Sequence, residues 1–190
     1  MFQNFKWLNQ TDVIINENSL IMRAAPKTDF FIDPKDGRRV LSGAYFYQEV
    51  NRDFILNTKV TPTFESTYDA CALLVMSDET CWAKLCFEFT DIGTYSVVSV
   101  VTDGLSDDAN GVDVQGESVY LQIVKQGDLF AMHYSLDGKA YKMVRYFSLP
   151  MQAQFKVGFV AQSPTGNGGN CAYDDIKFGY HEVKNMRSGI

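Results

Sequence analysis

Helical periodicity is nearly absent from these 190 residues. No long segment places apolar residues at i, i+3, i+4 and i+7, so amphipathic helices are not the building blocks. Histidine is scarce, with only His133 and His181. Cys71, Cys81, Cys86 and Cys171 form no CxxC or Cys/His spacing, which argues against a structural zinc site; no metal or cofactor is expected. The cysteines read instead as free, mostly buried thiols in a reducing compartment. Basic tracts are also missing, and the formal net charge is -6. That argues against nucleic acid or an anionic membrane surface as partner, because both need clustered Lys and Arg. Met1–Trp7 lacks a basic region followed by an apolar run, so no signal peptide is visible. No stretch approaches a transmembrane helix in length, and a cytoplasmic location is expected. Neither GxxxxGK nor GxGxxG occurs, and no Ser or Cys stands in a fixed relation to His and Asp.

What is present is strand. Aromatic residues make up 14% of the chain, and they favour pleated surfaces. Short alternating runs recur between turn signals, the pattern of a sandwich or barrel. Strands are predicted at Ser19–Ala24, Phe54–Val60, Asp69–Met76, Trp82–Phe89 and Tyr95–Thr102. Further strands follow at Val119–Lys125, Leu129–Ser135, Tyr141–Phe147, Phe155–Ala161 and Ala172–Tyr180. In Phe54–Val60 the apolar Phe54, Leu56 and Val60 should face inward, with Asn57 and Lys59 outward. Asp137-Gly138 is a strong hairpin turn, since this dipeptide tolerates positive φ. Two loops stand out: the acidic 103–111, and the polar 163–170. Asp103, Asp107, Asp108 and Asp113 could offer oxygen ligands to calcium, but their spacing does not fit an EF-hand, and an exposed acidic turn is the simpler reading. With no linker and no repeat, residues 1–190 read as one all-β domain of two packed antiparallel sheets, a jelly-roll sandwich.

The segments 69–76 and 82–89 should form an antiparallel hairpin. If Met76 faces Cys81, then Asp69 lies opposite Glu88, and Asp69, Trp82, Lys84 and Glu88 share one face. The other face, from Ala70 and Leu74 to Phe87 and Phe89, is wholly apolar and should be the core. On the mixed face two opposed carboxylates would repel unless solvated, protonated or neutralised, with Lys84 and Arg145 as candidate cations. A tryptophan beside placed polar groups suits a ligand platform; the bland alternative is a solvated surface with a loose charge network. Opposed carboxylates also suit glycoside hydrolysis, one as acid and one as nucleophile or base.

These motifs resemble a family within the concanavalin A-like lectin/glucanase superfamily that includes a fungal protein named for regulation of enolase. The resemblance is carried by Thr28-Asp29-Phe30-Phe31, Asp53-Phe54, Tyr68-Asp69-Ala70-Cys71-Ala72-Leu73 and Trp82-Ala83-Lys84 with Glu88. It continues through Ser96–Thr102, Tyr134-Ser135-Leu136-Asp137-Gly138 with Arg145, Gln162-Ser163-Pro164 and Tyr173-Asp174-Asp175-Ile176. It implies a concanavalin A-like jelly roll with a concave and a convex sheet, and sugar binding on the concave one. The glucanase pattern Glu-x-Asp-x-Glu would begin at Glu88, where this chain has Thr90 and Ile92 instead. The expectation is therefore a carbohydrate-binding protein without assigned catalysis, with Asp69, Trp82, Lys84, Glu88, Ser99 and Arg145 as ligand-binding residues. A glycoside hydrolase or lyase using Asp69 and Glu88, and a protein-binding regulatory module, are the alternatives.

Overall fold

The computed structural model describes residues 1–190. Sixteen strands account for its regular structure. In chain order they are β1 (Lys6–Leu8), β2 (Val13–Ile15), β3 (Leu20–Ala24), β4 (Phe30–Ile32), β5 (Arg39–Leu41), β6 (Ala44–Val50), β7 (Phe54–Pro62) and β8 (Ala70–Asp78). There follow β9 (Cys81–Phe89), β10 (Tyr95–Asp103), β11 (Leu105–Asp113), β12 (Val119–Gln126), β13 (Leu129–Ser135), β14 (Lys142–Ser148), β15 (Phe155–Gln162) and β16 (Gly169–Gly179). The first sheet runs β1-β6-β15-β8-β9-β10-β11, the second β14-β13-β12-β7-β16-β3-β2, and β4 and β5 form a separate hairpin. Every strand pairing within the sheets is antiparallel. This is a concanavalin A-like jelly-roll sandwich.

The inward faces of the two sheets meet in a core of 31 buried residues, among them Leu73, Leu85, Phe87 and Phe159 from the first sheet and Phe54, Leu56, Leu121 and Phe130 from the second. The alternation in β7 follows from this: Phe54, Leu56 and Val60 are fully buried, and Asn57 and Lys59 point the other way. Asp137-Gly138 turns as its composition dictates, with Gly138 at φ 71°. The Asp137 carboxylate accepts the amides of Lys139 and Ala140 at 2.8 and 2.9 Å, and these bonds hold its pKa down at about 2.

Both outer faces are also partly covered. On the first sheet, the β4–β5 hairpin seals a second cluster of 13 buried residues, including Phe30, Ile32, Tyr45, Leu74 and Trp82. The Ile32 amide donates to Ser106 Oγ at 2.9 Å, tying the hairpin to β11. On the second sheet, the C-terminal segment places Val183 against Ile55 and Val124.

The structure corrects the acidic loop. Residues 105–113 are not an exposed turn but β11, joined to β10 through Gly104 at φ 80°. Backbone pairing along one side suffices for an edge strand, and charged side chains on its open side block further pairing. Composition signals a loop there because it reports side chains, while the ladder is made by the main chain.

Candidate functional site

The pairing of β8 with β9 sets the chemistry of the outer face. Ala70 lies opposite Glu88, Ala72 opposite Cys86, Leu74 opposite Lys84 and Met76 opposite Trp82. This register differs by one residue from the sequence expectation. Its cause is a bulge between Met76 and Asp78: Ser77 is the extra residue, and Glu79-Thr80 is the turn. Asp78 clamps that turn by accepting the Thr80 amide at 2.8 Å. A one-residue slip exchanges the faces of a strand, so Cys71, Leu73 and Val75 enter the inter-sheet core while Ala70, Ala72, Leu74 and Met76 join the outer cluster. Trp82, Lys84 and Glu88 do share a face, but Asp69 is not opposite Glu88, and the expected carboxylate pair does not form.

Asp69 has another task. Its Oδ1 accepts Ser163 Oγ at 2.6 Å, and its Oδ2 accepts the amides of Glu65 and Ser66 at 3.0 and 2.8 Å. The Gly168 amide in turn donates to Ser163 Oγ at 3.2 Å. Asp69 thus ties the β7–β8 loop to the β15–β16 loop. Trp82 is fully buried under the hairpin, edge-on to Phe30 at 6.3 Å, so its indole cannot stack on an external ring. Burying such a side chain stabilises the fold by about 2–3 kcal/mol. Ser99 pairs with Leu85 and faces the inter-sheet core. Arg145 belongs to β14 in the second sheet and bonds Asp107 at 2.9 Å on the margin of the sandwich.

A cleft of ≈ 580 Å³ remains open between the first sheet, the hairpin and the two tied loops. Lys84 and Glu88 line it with Asp29, Tyr68, Asp108 and Gln162. A larger hollow of ≈ 740 Å³ lies across the molecule beside the C-terminal segment, but its Gln122 amide is already committed to the Gly189 carbonyl at 3.0 Å. The smaller cleft gathers the charged and polar groups, whereas the buried side-chain atom left without a partner, Trp82 Nε1, is sealed away from it under the hairpin.

Lys84 is 3% exposed. Its Nζ donates to Asp29 Oδ1 at 3.1 Å and to Gln162 Oε1 at 3.2 Å, leaving its third donor free. Burial alone would depress the ammonium; the charge of Asp29, helped by Cys86 and Glu88, outweighs it and raises the pKa. Glu88 is 8% exposed and makes no hydrogen bond or ion pair. Burial raises its pKa to about 8, Lys84 opposes this, and Asp108, Asp29 and Asp91 add to it. At neutral pH Glu88 is therefore mostly a neutral acid, able to donate as well as accept. No group of three or more His, Cys, Asp or Glu is arranged to hold a metal ion.

Tyr68 completes the rim. It is 37% exposed and sits at φ 71°, a left-handed conformation that costs a bulky L-residue about 1–2 kcal/mol. Its amide donates to the Phe89 carbonyl at 2.6 Å, and the Asp69 latch holds the next residue. Tyr68, Asp29 and Gln162 also line the cleft; each lies within a motif that carries the family resemblance, but nothing in the sequence shows that the three converge. Asp108 is legible only as one acid of the 103–113 run, with nothing in the sequence to place it beside Lys84 and Glu88.

Residues 7–180 match one family along that whole span. The chain belongs to the family described as "Protein of unknown function (DUF1349)". It is 27% identical over 164 residues to "Regulation of enolase protein 1" of Saccharomyces cerevisiae, covering 85% of this chain and 82% of the relative. A crystal structure of a functionally unknown protein from Saccharomyces cerevisiae superposes with a TM-score of 0.88 at 24% identity, covering 96% of this chain and 99% of that one. The fold is shared more distantly by two further structures. The carbohydrate-binding module CBM66 from Bacillus subtilis has a TM-score of 0.60 at 11% identity, with 93% and 96% of the two chains covered. A xylan beta-1,4-xylosidase from Bacillus halodurans C-125 has a TM-score of 0.64 at 15% identity, with 84% of this chain and 32% of that one covered.

Proposed function

We propose that the protein binds carbohydrate in the cleft between the first sheet and the β4–β5 hairpin. The observation that carries this reading is Glu88, a mostly buried carboxyl with no protein partner whose oxygens open into a polar cleft beside the unfilled donor of Lys84. A carboxyl at the bottom of such a cleft is poorly solvated, and hydroxyl groups of a ligand would supply the hydrogen bonds the protein does not. Tyr68 and Phe31 add apolar surface to the same cleft, the mixture typical of small-ligand sites. The likeness to a carbohydrate-binding module over nearly the whole of both chains supports the reading. The four free cysteines suit a reducing compartment, and we place the protein in the cytoplasm.

A glycan array followed by calorimetry tests this. Wild type is expected to bind at least one oligosaccharide class. Asp108→Trp, which adds bulk at an exposed lining position, should weaken that binding by about tenfold or more, roughly 1.4 kcal/mol. An empty array, or a ligand that Asp108→Trp leaves unaffected, removes the cleft from consideration. A protein-binding regulatory module is the second reading. It draws on the name of the yeast relative and on the exposed cross-strand pair Ile14 and Ile21 at the edge of the second sheet.

A further inference from the structure

We infer that the outer face of the second sheet is a peptide-reading surface: the chain's own residues 183–189 fill it here, and a polypeptide partner carrying the same pattern, Val-x-x-Met-x-x-Gly, takes their place. The inference is independent of the carbohydrate reading, which concerns the first sheet.

The first support is how the segment is held. Gln122 of β12 lies opposite Asn57 of β7 and His133 of β13, so three strands set one polar row across this face. Gln126, further along β12 by an even step, points the same way. The row is not left to water, for Gln122 and His133 are 1% and 0% exposed. Its donors go to main-chain carbonyls three residues apart. Gln126 Nε2 donates to the Val183 carbonyl at 3.3 Å, His133 Nε2 to that of Met186 at 2.8 Å and Gln122 Nε2 to that of Gly189 at 3.0 Å. The same three residues make the packing contacts. Val183 and Met186 join Ile55 and Val124 in one apolar cluster. Gly189 sits at φ 73°, and a Cβ there would lie 2.4 Å from Gln122 Nε2. Lys184, Asn185 and Arg187, which lie between them, are exposed. Main-chain bonds give such a surface its affinity, and the side-chain contacts give it selectivity.

The second support is that the occupant carries its own shape. Asn185 Oδ1 accepts the amides of Arg187 and Ser188 at 2.8 and 3.3 Å. The Gly189 amide donates to the Asn185 carbonyl at 2.9 Å, and the Asn185 amide to the Ile190 carbonyl at 2.8 Å. These bonds close residues 185–190 into a turn, which lowers the cost of ordering them on a surface. His181 and Glu182, which join the segment to β16, are exposed and make no hydrogen bond. The polar row lies inside the span 7–180 that matches the family, and the segment lies outside it. The occupant is an appendage to the shared sandwich. A partner must compete with this tethered segment, whose effective concentration is of about millimolar order.

The test uses the full chain and a fluorescein-labelled peptide with the sequence of residues 181–190, read by fluorescence anisotropy. Gly189→Ala in the full chain should loosen the tethered segment, because the added Cβ meets Gln122 and a left-handed φ disfavours alanine. The peptide is expected to bind this variant about tenfold or more tightly than it binds wild type. A peptide that itself carries Gly189→Ala should bind about tenfold or more weakly than the natural sequence. Amide exchange should show the natural peptide restoring protection in β12 and β13 of the variant, which also reports that the variant is folded. Asn185→Ala, which undoes the turn from outside the contact, takes its place if Gly189→Ala does not fold. A wild-type dimer that forms at high concentration and is lost in Gly189→Ala supports the surface, with a second copy as the partner. Equal binding of the natural peptide to wild type and variant, no binding to either at about 1 mM, or equal binding of the two peptides overturns the inference. None of these outcomes bears on saccharide binding at the first sheet, so the two readings fail separately.

Discussion

Glu88 shows at a single residue what burying a carboxyl costs a fold. Burial dominates its titration, with Lys84 on the same face opposing it and Asp108, Asp29 and Asp91 adding to it. An unfolded glutamate titrates at 4.5 and the folded one at about 8. The stability that accompanies its acid form is fully present below pH 4.5 and is lost as the pH rises to about 8. Glu88→Gln keeps the shape and has no proton to lose. It is expected to match wild type near pH 4 and to exceed it above pH 8 by on the order of 2–4 kcal/mol. Calorimetric melting across this range reads the difference, and superimposable profiles for the two proteins would contradict the buried, unpartnered state of Glu88.

At the scale of elements, the β4–β5 hairpin decides what the outer face of the first sheet can do. It lays Phe30 and Ile32 over Trp82 and Leu74, turning a would-be platform into a second core and confining the opening to the end where Lys84 and Glu88 lie. Phe30→Ala should cost about 3–4 kcal/mol by leaving a cavity over the indole. In a Trp7→Phe background Trp82 is the sole fluorophore of its kind, and its emission should shift to the red in the Phe30→Ala protein; an unmoved spectrum would mean the hairpin does not shield it. This hairpin was the illegible part of the chain. Its strands have three residues each, too few for alternation to be seen, whereas β7, β12 and β13 announce themselves by period and by the Asp137-Gly138 turn. The β8–β9 register was illegible for a related reason. Both faces of β8 are apolar because both are buried, so alternation cannot tell one face from the other. The single residue Ser77 that bulges into the ladder leaves no mark in composition. Lys84 and Glu88 were readable because a charged pair stands out in an apolar strand; Asp69 and Trp82 were misplaced by the slipped register and the unseen cover.

The whole molecule carries four sheet faces, and none is left fully to solvent. The two inner faces make the main core, the hairpin covers most of the third, and the C-terminal segment covers part of the fourth. That last cover is specific. His133 Nε2 lies 2.8 Å from the Met186 carbonyl, Gln122 donates to the Gly189 carbonyl, and Val183 packs on Ile55 and Val124. Gly189 is fitted to the contact, since a Cβ there would lie 2.4 Å from Gln122 Nε2 and its φ is 73°. Burial lowers the pKa of His133, with the Met186 carbonyl bond opposing it, so its uncovered ring would return toward the ordinary histidine range. Ending the chain after Tyr180 should therefore remove about 2–4 kcal/mol of stability through lost apolar burial and the lost hydrogen bonds of Gln122 and His133, both of which water would then solvate. Amide exchange should quicken in β12 and β13 and not in β8 and β9. The sandwich core stands between the two outer faces, so the truncated protein should match the full chain in the saccharide binding proposed for the first sheet. Loss of affinity on truncation, with the first sheet still protected from exchange, would instead reveal coupling across the core, carried by inter-sheet contacts such as those of Tyr173 with the backbone of Ala72 and Val160.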